Sequence, residues 1–472
     1  MIEKKLLCCL IPALLVSGSA YAGVDLIAIG EVNGSYEDLA NKTASKLENG
    51  VPGNRLGGMG SGLAYAGGTT FLALPDRGPN ATVYNPQLDD TSSYINRFHT
   101  FNFSLAPSDS GSALPFVLTP TLRDTTLLSS ATALVYGDGA GLGYKIDGTT
   151  PLGSGAPALN AVDKTHYFTG RSDNFDKVLP STNANNARLD PEGIRVSNDG
   201  KSVFISDEYG PYVYQFDRAA GARIKSFTLP DNLAITALSP LKDTEIAGNK
   251  VGRVTNKGME GLAITPDGKM LVGIMQANLA QDKKGSLRIV TIDIASGKVG
   301  QYAYILTDGS GVSEILAVNN HQFILDERDG SGLADTPLMT DTASAAKVKK
   351  IYLIDLNGAK DVSSVSGDLT SYAVSKNPIA LDIVGKLNAA GINSYLIPSK
   401  LEGIAFGQDV TLNGVTKHTF FVANDNDFLA KVADPFKAPK DPTRGYVTNP
   451  NQIYVFAFGD EDLPGFVPQD IR

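Results

Sequence analysis

Apolar and polar positions alternate along this chain in short runs, and the runs come in pairs. In "RLDPEGIRVSNDGKSVFISDEYGPYVYQFD", Glu192 to Ser197 reads as a strand, Asn198-Asp199-Gly200 as a hairpin turn and Ser202 to Ser206 as the returning strand. Tyr212 to Asp217 is a third strand. After Ala220-Gly221 a fourth runs from Arg223 to Leu229. Four short antiparallel strands at this spacing predict one blade of a β-propeller.

The unit recurs. "MEGLAITPDGKMLVGIMQ" repeats the first hairpin at Glu260 to Gln276, and "SEILAVNNHQFILDERDG" repeats it at Glu314 to Glu327, with Lys350 to Asp355 outside. "LEGIAFG" and "HTFFVANDNDF" repeat it at Glu402 to Asp427, with Gln452 to Phe458 outside, and "SGLAYAGGTTFLALPDRG" is the first copy, Ser61 to Gly78. Five inner hairpins result. The gap from Gly78 to Glu192 has room for another blade, so the expectation is an all-β single propeller of six blades, with five to seven allowed. The last blade lacks an outer strand, which Val24 to Val32 would supply by closing the ring. Ser129 to Asn186 reads as long loops on one face, and Ile379 to Gly391 as a short helix ended by glycine.

Acids occur at equivalent places in these units. The start of a hairpin's first strand and the end of its second lie at one edge. That edge receives Glu192 with Asp207-Glu208, Glu260 with Gln276, Glu314 with Glu327, Glu402 with Asp425, and Asp76 from the first copy. The first strand of each blade lines the channel, so one rim collects Asp76, Glu192, Asp207, Glu260, Glu314, Glu327, Glu402 and Asp425. So many carboxylates in a partly dry mouth either take up protons, pair locally with bases and amides, or hold a cation. Oxygen ligands favour Ca²⁺, with Mg²⁺ second. Arg77, Lys257 and Arg328 share the register, either as ion-pair partners or as groups that meet an anionic substrate.

Composition narrows the field. The 472 residues carry 49 glycines and no tryptophan, which suits many turns, and the net charge of −9 argues against nucleic acid as a partner. "MIEKKLLCCLIPALLVSGSAYAG" reads as a signal peptide, residues 1–22, with Lys4 and Lys5 before an apolar run and an Ala20-Tyr21-Ala22 cleavage site. The propeller domain is then 23–472, periplasmic or secreted, with no membrane span. Cys8 and Cys9 lie in the removed segment, which leaves the mature chain without a thiol. No G-x-S-x-G, H-E-x-x-H or Walker loop is present. His99, His166, His321 and His418 are scattered and read as surface residues.

The runs "DPEGI…SDEYGPYVYQFD", "NKGMEGLAITPDGK", "VSEILAV…ILDERDG" and "KLEGIAFG…VANDNDF" resemble the phytase-like family, labelled for an esterase-like activity of phytase, over roughly Gly57 to Asp460. The family is similar in architecture to β-propeller phytases, which use Ca²⁺ at a channel mouth to hold phosphate and activate water. The resemblance implies that role for the rim acids, although the basic-rich phosphate pocket of those enzymes is not evident here. The expectation is an exported Ca²⁺-dependent hydrolase of small phosphate esters. Glu192 and Glu260 would act at the reaction centre, and Arg77, Lys257 and Arg328 would steady developing charge. A carboxyl-ester hydrolase or lactonase, and a non-catalytic binding propeller stabilised by metal, are the alternatives.

Overall fold

The computed structural model describes residues 23–89, 92–178 and 181–472; the proposed signal peptide lies outside them. Five four-stranded antiparallel blades form a ring. Blade 1 comprises Gly62–Tyr65, Thr70–Leu74, Arg97–Pro107 and Phe116–Leu127. Blade 2 comprises Pro191–Val196, Ser202–Asp207, Tyr212–Asp217 and Arg223–Thr228. Blade 3 comprises Met259–Ile264, Met270–Met275, Ser286–Asp293 and Val299–Ile305, and blade 4 Gly311–Ala317, Gln322–Arg328, Lys349–Asp355 and Ser375–Asp382. Blade 5 runs Leu401–Phe406, Val415–Asn424, Asn451–Phe458, and takes Asp25–Val32 as its outermost strand. Ala28 pairs with Val455 and Val32 with Asn451, so the two ends of the propeller close one sheet.

The ring has five blades, the lower end of the expected range. The gap after Gly78 holds the two outer strands of blade 1 and then loops. Ile379 to Gly391 is also divided differently from expectation. Its first residues complete the outer strand of blade 4, and the helix is Ile383–Ala389, where Asp382 caps the start by accepting from the Gly385 amide. Strand pairing to Lys349–Asp355 outweighs the helical pattern there.

Each interface between neighbouring blades has its own apolar layer. Phe71, Phe103 and Phe421 stack between blades 1 and 5. Ile194, Val203 and Phe216 face blade 1 from blade 2. The inner strands of blades 2 and 3 are buried throughout, and the five inner strands abut in a closed circle. His99 is also fully buried, on blade 1 beside Thr125; burial pushes its pKa down to about 4.

Candidate metal centre at the channel mouth

In four of the five blades, the inner strand carries a β-bulge where the acid stands. The register shifts between Pro191 and Ile194, Met259 and Gly261, Val312 and Ile315, and Leu401 and Ile404. A bulge bends the strand and re-aims its side chains. Three of these bulges contain Glu-Gly: Glu192-Gly193, Glu260-Gly261 and Glu402-Gly403. Glycine is required because the next inner strand passes so close. A Cβ on Gly193 would lie 2.6 Å from Leu262, and one on Gly261 would lie 2.7 Å from the Glu314 Cα.

The acids delivered this way meet at one end of the channel. Asp190, Glu192 and Glu208 place carboxylate oxygens within 4.8 Å of one another, and Asp76, Asp425 and Asp427 do the same. Glu260 stands beside the first group, and its proximity to Glu208 adds to the rise that burial causes in the pKa of the latter. Glu260 Oε1 accepts from Gln276 Nε2 at 2.9 Å, whereas its Oε2 is buried without a donor. Three cations run through the cluster. Arg77 lies 3.0 Å from Asp190 and 3.7 Å from Asp76. Arg328 lies 2.5 Å from Glu402 and 3.5 Å from Glu260. Lys400 bridges Asp425 at 2.8 Å and Asp427 at 2.7 Å.

Burial dominates the electrostatics. It pushes Asp76 and Glu192 well above the usual carboxylate range, with Asp425 adding to the rise at Asp76 and Glu260 at Glu192. Glu208 is raised in the same way, by burial and then Glu260. Burial also raises Glu402, to about 8, although Arg328 and Lys400 pull against it. Lys400 shows the converse: burial opposes its charge, but Asp425 and Asp427 outweigh it and hold it well above normal. Raised carboxylates beside a buried acceptor with no donor are the electrostatic signature of a place short of positive charge. The donor set is all oxygen and fits a hard divalent cation.

Some sequence-predicted residues stand elsewhere. Glu327 points to the outer side of blade 4. It accepts from the Thr307, Asp308 and Gly309 amides, from Lys376 and from Tyr304. Its neighbour Asp326 turns inward instead and accepts from the Ser313 and Glu314 amides. Asp207 closes its own hairpin by accepting from the Asp190 and Tyr209 amides. Glu314 lies within the channel, 2.9 Å from Arg195. Lys257 is exposed, two residues ahead of the blade 3 inner strand, and makes no ion pair within 4.0 Å among the described residues. The structure adds Asp190, Glu208, Lys400 and Asp427. Asp190 stands two residues before Glu192, Glu208 directly follows Asp207, and Lys400 immediately precedes the blade 5 inner strand.

Residues 54–428 match the model of the phytase-like family, described as "Esterase-like activity of phytase". The chain belongs to this family. The phytase-like chain is 26% identical over 321 residues to an uncharacterized secreted protein of Arthroderma benhamiae; the match spans 60% of this chain and 59% of that protein. A putative 6-phosphogluconolactonase from Bacteroides uniformis is 14% identical, covering 84% of this chain and 88% of that one, with a TM-score of 0.29. A catalytically inactive virginiamycin B lyase from Staphylococcus aureus is 11% identical, covering 91% and 99%, with a TM-score of 0.30. No helix among the described residues of the phytase-like chain is long and apolar enough to cross a membrane.

Proposed function

We propose that the protein is an exported hydrolase of ester bonds, phosphate esters first, that works with Ca²⁺ held in the channel mouth; Mg²⁺ is the second choice of ion. One observation carries this reading. Eight carboxylates, in the two triads and on Glu260 and Glu402, face only Arg77, Arg328 and Lys400 in a buried setting. Membership of the phytase-like family supports ester hydrolysis. The signal-peptide pattern and the match to a secreted protein support export.

Asp190, Glu192 and Glu208 would hold one ion and Asp76, Asp425 and Asp427 a second. A bound divalent ion supplies Lewis acidity towards an ester oxygen. Glu260 Oε2, with no donor of its own, is placed to take a proton from an attacking water, and its raised pKa brings it closer to neutral pH. Arg328 and Arg77 hold the acids apart in fixed geometry, and exposed Lys257 is free to meet an incoming anion.

A second reading, a metal-stabilised propeller without catalysis, is favoured by burial: Glu192 is 6% exposed and Glu260 4%. Metal analysis of the purified protein, with hydrolysis of p-nitrophenyl phosphate, bis-p-nitrophenyl phosphate and p-nitrophenyl butyrate in Ca²⁺ and in chelator, separates the readings. We expect bound Ca²⁺, chelator-sensitive turnover of a phosphate ester, and losses of about 10²-fold or more in Glu192→Gln and Glu260→Gln with the fold intact. Turnover that survives chelation overturns the metal mechanism. Absence of turnover with Ca²⁺-dependent melting retained establishes the second reading.

A further inference from the structure

A groove of about 450 Å³ opens beside the channel mouth, between residues 42–48 of the N-terminal segment and the hairpin and loop of residues 145–159. It adjoins the mouth through Gly170, which closes on the Arg77 carbonyl, and Arg171, which lines the groove. Its volume lies in the range of small-molecule sites. Leu47, Ile95, Pro151 and Leu159 give it an apolar wall.

Its charge runs against that of the molecule. Lys42, Lys46, Lys145 and Arg171 line it, with Glu48 as the one acid, in a chain of net charge −9. Three of these charges are already used. Glu48 accepts from the Ser93 amide at 2.9 Å and from its hydroxyl. Arg171 is held by Asp173 at 2.5 and 3.0 Å, and Lys42 by Asp163 at 2.5 Å. Lys46 and Lys145 make no ion pair within 4.0 Å among the described residues. Asp147, the acid nearest Lys145 in sequence, spends its oxygens on Thr149 and Thr150. Lys145 itself is fixed on a small hairpin, donating its amide to Thr150, while Ile146 donates its own to the Glu48 carbonyl.

Two uncompensated ammonium groups facing one partly apolar concavity concentrate positive potential there, since the low-dielectric wall focuses the field. We propose that this groove binds a small organic anion, a phosphate, phosphonate or carboxylate on an apolar body. Lys46 and Lys145 meet the charge, and the Leu47, Ile95 and Leu159 wall meets the body. This site does not depend on a cation at the channel mouth.

Calorimetric titration with phenylphosphonate, in low salt with EDTA present, tests it. We expect saturable binding to the wild-type protein. Lys46→Glu combined with Lys145→Glu should weaken it at least tenfold, as should replacing the ligand with neutral benzyl alcohol, while Glu192→Gln leaves it unchanged. Lys46 is exposed and Lys145 half-buried, and an unchanged melting temperature verifies the fold of the double variant. Absence of saturable binding, an unaltered Kd in the double variant, or loss of binding in Glu192→Gln would each overturn the proposal. Because chelator is present throughout, none of these results bears on the metal chemistry of the mouth.

Discussion

Arg195 follows Glu192 by three residues on the same inner strand, yet it serves the ring rather than the mouth. Its guanidinium donates to the Leu63 carbonyl of blade 1 at 2.8 Å and to the Ile315 carbonyl of blade 4 at 3.0 Å, and it pairs with Glu314 at 2.9 Å. Glu314 is fully buried, and burial pushes its pKa up to about 8 despite Arg195. Removing the guanidinium leaves Glu314 and the Leu63 and Ile315 carbonyls without their buried donor, together about 3–5 kcal/mol at about 1–3 kcal/mol for each unsatisfied group. Arg195→Met should therefore lose about that much stability in chemical denaturation, and adding Glu314→Gln should recover part of it. Loss of less than 1 kcal/mol would mean that the cross-channel pair contributes little. The same residues show what a sequence reveals about a site. Position in the repeat identified Asp76, Glu192, Glu260, Glu402 and Asp425 in the mouth. It misplaced Glu327 and Asp207, because a one-residue step along a strand end reverses the face a side chain takes. Lys400 escaped notice because it precedes its strand, where no repeat unit points to it.

At the scale of elements, the hairpins were legible because each alternates apolar and polar residues around a turn such as Asn198-Asp199-Gly200, whose Gly200 takes φ +68°. The outer strands Arg97–Pro107 and Phe116–Leu127 were not, because a long loop separates them from the inner hairpin and Phe116–Leu127 carries polar residues on the outer edge of the blade. The C-terminal segment was invisible for a related reason: it forms no regular element. It nevertheless straps the end of the channel opposite the acids. Val467 donates its amide to Val318 of the blade 4 hairpin, and Gln469 its side-chain amide to Val196 and Asn198 of blade 2. Phe466 packs on Phe406, His418 and Phe458 of blade 5. Ending the chain at Leu463 removes these bonds and the burial of the Phe466 ring, together about 3–5 kcal/mol. Thermal melting of the truncated protein should show a drop of several degrees, with ion binding at the mouth retained. An unchanged melting temperature would show the strap to be dispensable.

For the whole molecule, the buried carboxylates of the channel and its mouth make stability depend on pH and, under the proposed function, on cation as well. Glu314 and Glu402 are raised to about 8 and Asp207 to about 7, all by burial. Below the unfolded pKa, near 4 for such groups, folded and unfolded states are equally protonated. Between that value and about 8, the unfolded chain releases protons that the folded one keeps, so stability falls as pH rises, and above about 8 the dependence from these groups flattens. A cation binding the folded mouth acts oppositely. It favours ionised carboxylates, so its affinity rises with pH, and an ion at a hundred times its Kd adds about 2.7 kcal/mol to the folded state. In chelator the melting temperature should therefore decline from pH 5 to pH 8. Ca²⁺ should restore it at pH 8 and raise it much less at pH 5, where protons already neutralise Glu402 and its neighbours. Asp425→Asn combined with Glu192→Gln should remove most of that Ca²⁺ increment by taking one ligand from each triad. An equal Ca²⁺ increment at both pH values would mean that the ion binds outside the buried mouth, because only there does binding compete with protons held by desolvation.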